Sequence, residues 1–101
     1  MIKHIVLFGI ADQAEGRSKA ENAIYIKQEL EKLIELIPEL KKIEVGINHH
    51  EAPEGNYDIA LYTEFDSTAD LEAYMNHPEH KRVGAYIGKL KTSRACVDYE
   101  V

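Results

Sequence analysis

The sequence predicts an α+β domain built on one four-stranded antiparallel sheet with helices against one face. Three observations carry that expectation. Stretches with two-residue apolar periodicity stand near both ends of the chain and twice in the middle. Helical stretches separate them, each opened by a serine with an acid three residues on. The resulting order, β-α-β-β-α-β, is the split βαβ pattern of a ferredoxin-like fold.

Residues 2–10 (IKHIVLFGI) open the chain as a strand, short and rich in Ile and Val. Ile2, His4, Val6, Phe8 and Ile10 share one face; Ile5 and Leu7 lie on the other. Both faces are apolar, so both should be covered. Ser18 and Glu21 then have capping-box spacing, and a long helix is expected from Ser18 to about Ile37. Ala23, Ile26, Leu30, Leu33 and Ile37 form its apolar stripe, and Pro38 ends it.

Residues 41–48 read as the second strand and 57–65 (YDIALYTEF) as the third, with a Pro- and Gly-marked loop from His49 to Asn56 between them. Ser67 and Asp70 cap a helix through about Met75. Pro78 suits the first turn of another, His77 to about Gly88. Residues 91–100 form the last strand, with Ala95, Val97 and Tyr99 on one face and Arg94, Cys96 and Asp98 on the other.

The 101 residues suit one domain, 1–101, with a single core. The net charge of −6 argues against nucleic acid and anionic membrane as partners. The nearest thing to a basic patch, Lys81, Arg82, Lys89, Lys91 and Arg94, is loose and flanked by Glu79, Asp98 and Glu100. The lone Cys96 allows no internal disulfide and fits a reducing compartment. Met1-Ile2-Lys3-His4-Ile5 does not open a leader segment, so the expected location is the cytoplasm.

Helices can cover only one face of such a sheet. The other carries a mixed set drawn from Ile5, Leu7, Ala60, Tyr62 and Cys96, with acids between them. An open apolar face is a liability for a monomer, and a second copy across a two-fold axis covers it most simply. A homodimer through the sheet face is therefore expected.

Four stretches now stand together: Lys3-His4-Ile5-Val6-Leu7-Phe8, Gly46-Ile47-Asn48, Tyr57-Asp58 with Phe65-Asp66-Ser67, and Tyr74-Met75-Asn76-His77-Pro78-Glu79-His80. With them the chain resembles the stress-responsive dimeric α/β-barrel (Dabb) family over essentially its whole length. The Tyr-x-x-His-Pro-x-His run is the most specific piece. The resemblance implies ferredoxin-like subunits whose sheets pair into a barrel-like dimer. Most members of that family have no assigned activity. A few plant members are polyketide cyclases that perform an aldol closure, and their pocket residues match His4, Tyr74 and His80 here. A further pocket histidine of those cyclases falls where this chain has Ile59.

His80, Tyr74 and His4 are thus the catalytic candidates, with no cofactor and no metal site expected. A histidine near pKa 6.5 can take a proton from a carbon next to a carbonyl. Tyr74 could hold the resulting oxyanion, and His4 could orient the substrate. The bland alternative is that Tyr74 and His80 bond to backbone near the His77–Pro78 turn. Three functional readings stay open: a dimer with a small apolar cavity for a small-molecule ligand, a cofactor-free enzyme on a carbonyl or aromatic compound, and a cofactor-free monooxygenase-like activity. The enzyme reading requires the three side chains to converge within about 10 Å on a cavity of roughly 300 Å³ or more. His77 is expected to fix its turn, and His49, His50 and Glu51 to form a solvated loop.

Overall fold

The computed structural model describes residues 1–101. Strand β1 (Ile2–Ile10) is followed by a small hairpin, β2 (Gln13–Ala14) and β3 (Arg17–Ser18), and helices α1 (Lys19–Glu31) and α2 (Leu33–Leu36). Then come β4 (Lys42–Ile47), β5 (Ile59–Phe65), α3 (Thr68–Asn76), α4 (Pro78–Leu90) and β6 (Lys91–Glu100). The main sheet has the order β4-β5-β1-β6 with every pairing antiparallel. This is the ferredoxin-like arrangement the element order predicts.

The caps form as the sequence predicts. The Ser18 Oγ accepts from the Glu21 N–H at 3.2 Å while Glu21 Oε1 accepts from the Ser18 N–H at 2.9 Å. The Ser67 Oγ accepts from the Asp70 N–H at 3.1 Å. Where one helix was expected to run unbroken to Ile37, a break occurs at Lys32 and one more turn follows as α2. The apolar stripe survives the break, because Leu33 and Ile37 are both fully buried. Ile37 itself is extended at φ −119°, ψ 105°, as a residue before proline should be.

Three further differences have plain causes. Residues 11–18 hold the unforeseen hairpin, whose turn places Glu15 (φ 52°) and Gly16 (φ 75°) in the left-handed region. Glutamate is an unusual choice there, so the sequence carried no turn signal. The third strand starts at Ile59 and leaves Tyr57 exposed, because Asp58 turns inward. Its carboxylate accepts from the Ile10 N–H at 2.8 Å and meets Lys19 Nζ at 3.3 Å. Cys96 lies on the helix side of the sheet rather than on the open face. The β1–β6 register sets it opposite Val6, with Asp98 opposite His4 and Arg94 opposite Phe8. Ala95, Val97 and Tyr99 take the open face instead, beside Leu7, Ile5 and Lys3.

The core comprises nineteen buried apolar side chains, drawn from β1, β4, β5 and all four helices and the short connection after α2. One buried amide ties the hairpin and two helices to this core. Asn22 Nδ2 donates to the Ala14 carbonyl at 3.1 Å, and its Oδ1 accepts from the Tyr86 hydroxyl at 2.8 Å. Replacing Asn22 by Ala strands the Ala14 carbonyl and removes the Tyr86 acceptor. Urea unfolding should show a loss of about 2 kcal/mol; an unchanged midpoint would contradict the role given to this amide.

Candidate functional site

The site begins where helix coverage of the sheet ends. Helix α1 rests on β4, and α3 rests on β5 and β1, while β6 packs mainly against β1. Arg94, Cys96 and Asp98 therefore face the helix side yet stay exposed. Between α4 and the sheet lies a cavity of about 110 Å³. Its wall is apolar where Val6, Phe8, Leu30, Leu61 and Ile87 meet, and polar at His4, His80, Lys91 and Arg94.

His4 sits at a core-facing pleat of β1 and is only 2% exposed. Its Nδ1 is bonded to Asp98 Oδ1 at 2.5 Å across the β1–β6 pair. Asp98 thus orients the ring, as a carboxylate does behind a working histidine. The Cys96 Sγ stands 3.7 Å from the same nitrogen and 3.6 Å from Asp98 Oδ1. Burial and the Asp98 carboxylate push the Cys96 thiol up, so it stays protonated. With His4 Nδ1 committed to Asp98, this is not an activated nucleophile. A cation held by His4, Cys96 and Asp98, whose ligand atoms lie within 4.8 Å of one another, would have to displace that His4–Asp98 bond.

His80 comes from the first turn of α4, where Pro78 starts the helix and His77 caps it. His77 Nδ1 accepts from the Glu79 N–H at 3.1 Å, the structural role expected for it. The His80 ring is half-buried, and its Nδ1 is enclosed without a hydrogen-bond partner. Burial holds its pKa below the usual histidine value, helped by His4, Arg94 and His77 and opposed by the nearby Met75 backbone, which stands outside hydrogen-bond geometry. At neutral pH His80 is therefore the free imidazole, the form that can accept a proton.

Tyr74 is fully buried against both histidines and Phe65. Its ring centroid is 4.6 Å from His80, 4.9 Å from Phe65 and 6.3 Å from His4. Burial pushes its hydroxyl well above the ordinary tyrosine range, and that hydroxyl has no partner. The three candidates do converge, but Tyr74 stands behind His80 and does not line the cavity. The cavity is also smaller than the roughly 300 Å³ expected for a substrate-sized site. Ile59 is buried between Phe8 and Ile47 and lies outside it as well.

Larger depressions lie elsewhere. One, about 560 Å³, is an open trough lined by Leu7, the end of β4 and the following loop, and holds none of the three candidates. His49 and His50 stack at 4.4 Å in that loop, both exposed, with the His49 Nδ1 accepting from the Glu51 N–H at 3.1 Å.

Four contributors escaped sequence reasoning: Asp98, Lys91, Arg94 and Gly84. Strand pairing and helix spacing, taken with the fold, bear on three of them. Antiparallel pairing of the first and last strands sets Asp98 beside His4. His80, Gly84 and Ile87 follow i, i+4, i+7 spacing on one helix face, Lys91 comes just past the helix end, and all four line the cavity. At Gly84 an added Cβ would meet nothing within 4 Å, so the missing side chain is part of the space.

Comparison with known proteins agrees with the fold. A family model described as the Stress responsive A/B Barrel Domain matches residues 2–101. No curated protein matches. A dimeric protein of unknown function and ferredoxin-like fold from Bacteroides fragilis is 42% identical, with TM-score 0.87, over 99% of this chain and 95% of that one. A dimeric ferredoxin-like protein of unknown function from Thermobifida fusca is 31% identical, with TM-score 0.84, over 99% and 90%. A hydroxynitrile lyase from Passiflora edulis is 18% identical, with TM-score 0.82, over 99% and 92%, a likeness of fold alone.

The depressed His80 pKa gives a signed pH dependence. Folding disfavours the proton on His80, so the unfolded chain binds more protons and stability rises with pH. The effect is complete above about pH 6.5 and is lost as pH falls through the folded value. Urea midpoints measured down from neutral pH should fall less steeply in His80→Gln than in the wild type. Parallel curves would show that His80 is not held neutral by the fold.

Proposed function

The chain belongs to the Stress responsive A/B Barrel Domain family, and from that premise we propose that it works as a homodimer whose subunits each bind one small molecule in the His4–His80 cavity. The observation that carries this reading is the space between α4 and the sheet, walled by Val6, Leu61 and Ile87 and left open where Gly84 carries no side chain. A ligand with a small apolar body would fill it.

The dimer is supported by the open face of the sheet. Ile5, Leu7, Ala60, Ala95 and Val97 form an apolar centre there, with Val97 53% exposed in the single subunit. Tyr62 borders it, its ring flanked by Lys3 and Lys42 and its hydroxyl bonded to Glu64. An apolar centre within a polar rim suits a protein interface. The Bacteroides and Thermobifida proteins are both described as dimeric. No helix is long and apolar enough to cross a membrane. The lone free Cys96 supports a reducing compartment such as the cytoplasm.

The second reading, proton-transfer catalysis without a cofactor, has the neutral state of His80 in its favour and the size of the cavity, about 110 Å³ and without Tyr74 in its wall, against it. His80 would accept a proton from a carbon beside a ligand carbonyl, as in an aldol closure. With Tyr74 behind His80, the oxyanion donor has to come from elsewhere in the site.

Gly84→Leu separates binding from folding. Leucine is a better helix former than glycine by roughly 0.5–1 kcal/mol, and open space receives it. The variant should melt no lower than the wild type and lose every fragment that shifts the Ile87 amide in NMR spectra. Fragments bound equally well by both forms would place the ligand elsewhere. For the dimer, light scattering should give twice the 11.5 kDa chain mass, and Val97→Glu should reduce it to that of a single chain. A wild type that scatters as a single chain contradicts the assembly.

A further inference from the structure

The basic residues near the end of the chain do not share one fate. Arg82 is neutralised by Glu29 at 3.0 Å and Glu79 at 3.2 Å, and Lys89 meets Glu15 at 3.5 Å. Lys91 and Arg94 form no ion pair, although the chain carries a net charge of −6. Both line the cavity that holds His4 and His80. Asp98, the nearer of the two acids on the same face of β6, is already bonded to His4, and Glu100 stands farther along the strand, opposite Ile2. Two free cations thus stand at the open, β6 side of an apolar space, in a protein with acids to spare elsewhere.

We propose that the cavity selects a short-chain aliphatic carboxylate of about four to six carbons, its chain inside the cavity and its carboxylate between Lys91 and Arg94. The inference deepens the small-molecule reading above and rests on it. Size sets the chain length. A cavity of roughly 150 Å³ holds benzene, so 110 Å³ receives a slimmer body. Val6, Leu61 and Ile87 offer that body apolar contact. Charge sets the head group. The planar guanidinium of Arg94 matches a carboxylate, and Lys91 adds a second positive charge. A positively charged ligand would meet both cations, while the nearest acid on that strand face, Asp98, is turned to His4. Near neutral pH, His80 without its proton adds no further charge, so the selection rests on Lys91 and Arg94.

The test uses the full-length protein and three ligands that differ only at the head: pentanoate, pentan-1-ol and pentylamine. Binding is read from NMR shifts of the Gly84 and Ile87 amides at low salt. Pentanoate should bind about two- to fivefold tighter than pentan-1-ol, and pentylamine weakest of the three. The gap between pentanoate and pentan-1-ol should narrow as salt is added and close in the double variant Lys91→Gln, Arg94→Gln. Both positions are exposed, so the variant should fold. If pentanoate and pentan-1-ol bind equally to the wild type, the carboxylate selection is wrong while the cavity remains a binding site. If the double variant keeps the full preference, the carboxylate sits elsewhere and the proposal fails. If none of the three moves either amide, the small-molecule reading fails and takes this inference with it.

Discussion

Helices that cover three strands of a four-stranded sheet and stop short of the fourth are the constraint behind this molecule. The core fills the space beneath α1, α2, α3 and α4 with nineteen apolar side chains, and β6 contributes none of them. A last strand hydrogen-bonded along β1 but uncovered leaves a wedge between α4 and the sheet. Side chains on the helix side of β6 border this wedge and reach water at the same time. Charged groups can therefore stand beside apolar ones at little desolvation cost. His4, His80, Lys91 and Arg94 meet there for that reason.

The same sheet has a second unfinished surface. On its other side, Ile5 and Val97 are paired neighbours at the centre of a face no helix covers. The two incomplete surfaces ask for different partners. The broad, flat face suits another flat face, and the narrow wedge suits something small. A dimer formed by the sheets leaves the helix side free, so assembly and ligand binding need not compete for the same residues.

Much of this was legible in the sequence because period and capping are local properties. The pleat of residues 2–10 put His4 with Val6 and Phe8, and it lies with them in the core. The Ser18 and Ser67 caps formed because an acid three residues on supplies the required geometry or charge. The Tyr74–His80 segment placed both rings near His4 because a turn capped by His77 folds the two helices together. Features set by distant partners were harder to read. Cys96 was assigned to the open face for want of a register, and pairing with Val6 put it on the other. Asp98 reaches His4 across 94 positions of sequence, a contact no local pattern contains. The size of the cavity depends on an absent side chain at Gly84, and absence carries little periodic signal.

All of these features bear on one claim, that the space beside His80 Nδ1 is an apolar ligand site and not a packing defect. Crystals held under xenon pressure test it most directly, because xenon settles against apolar walls such as the one Val6, Leu61 and Ile87 form. The account predicts xenon against Val6, Leu61 and Ile87 in the wild type, and none there in crystals of Gly84→Leu. A wild-type cavity that stays closed to xenon, with its side chains in contact across it, would contradict the account.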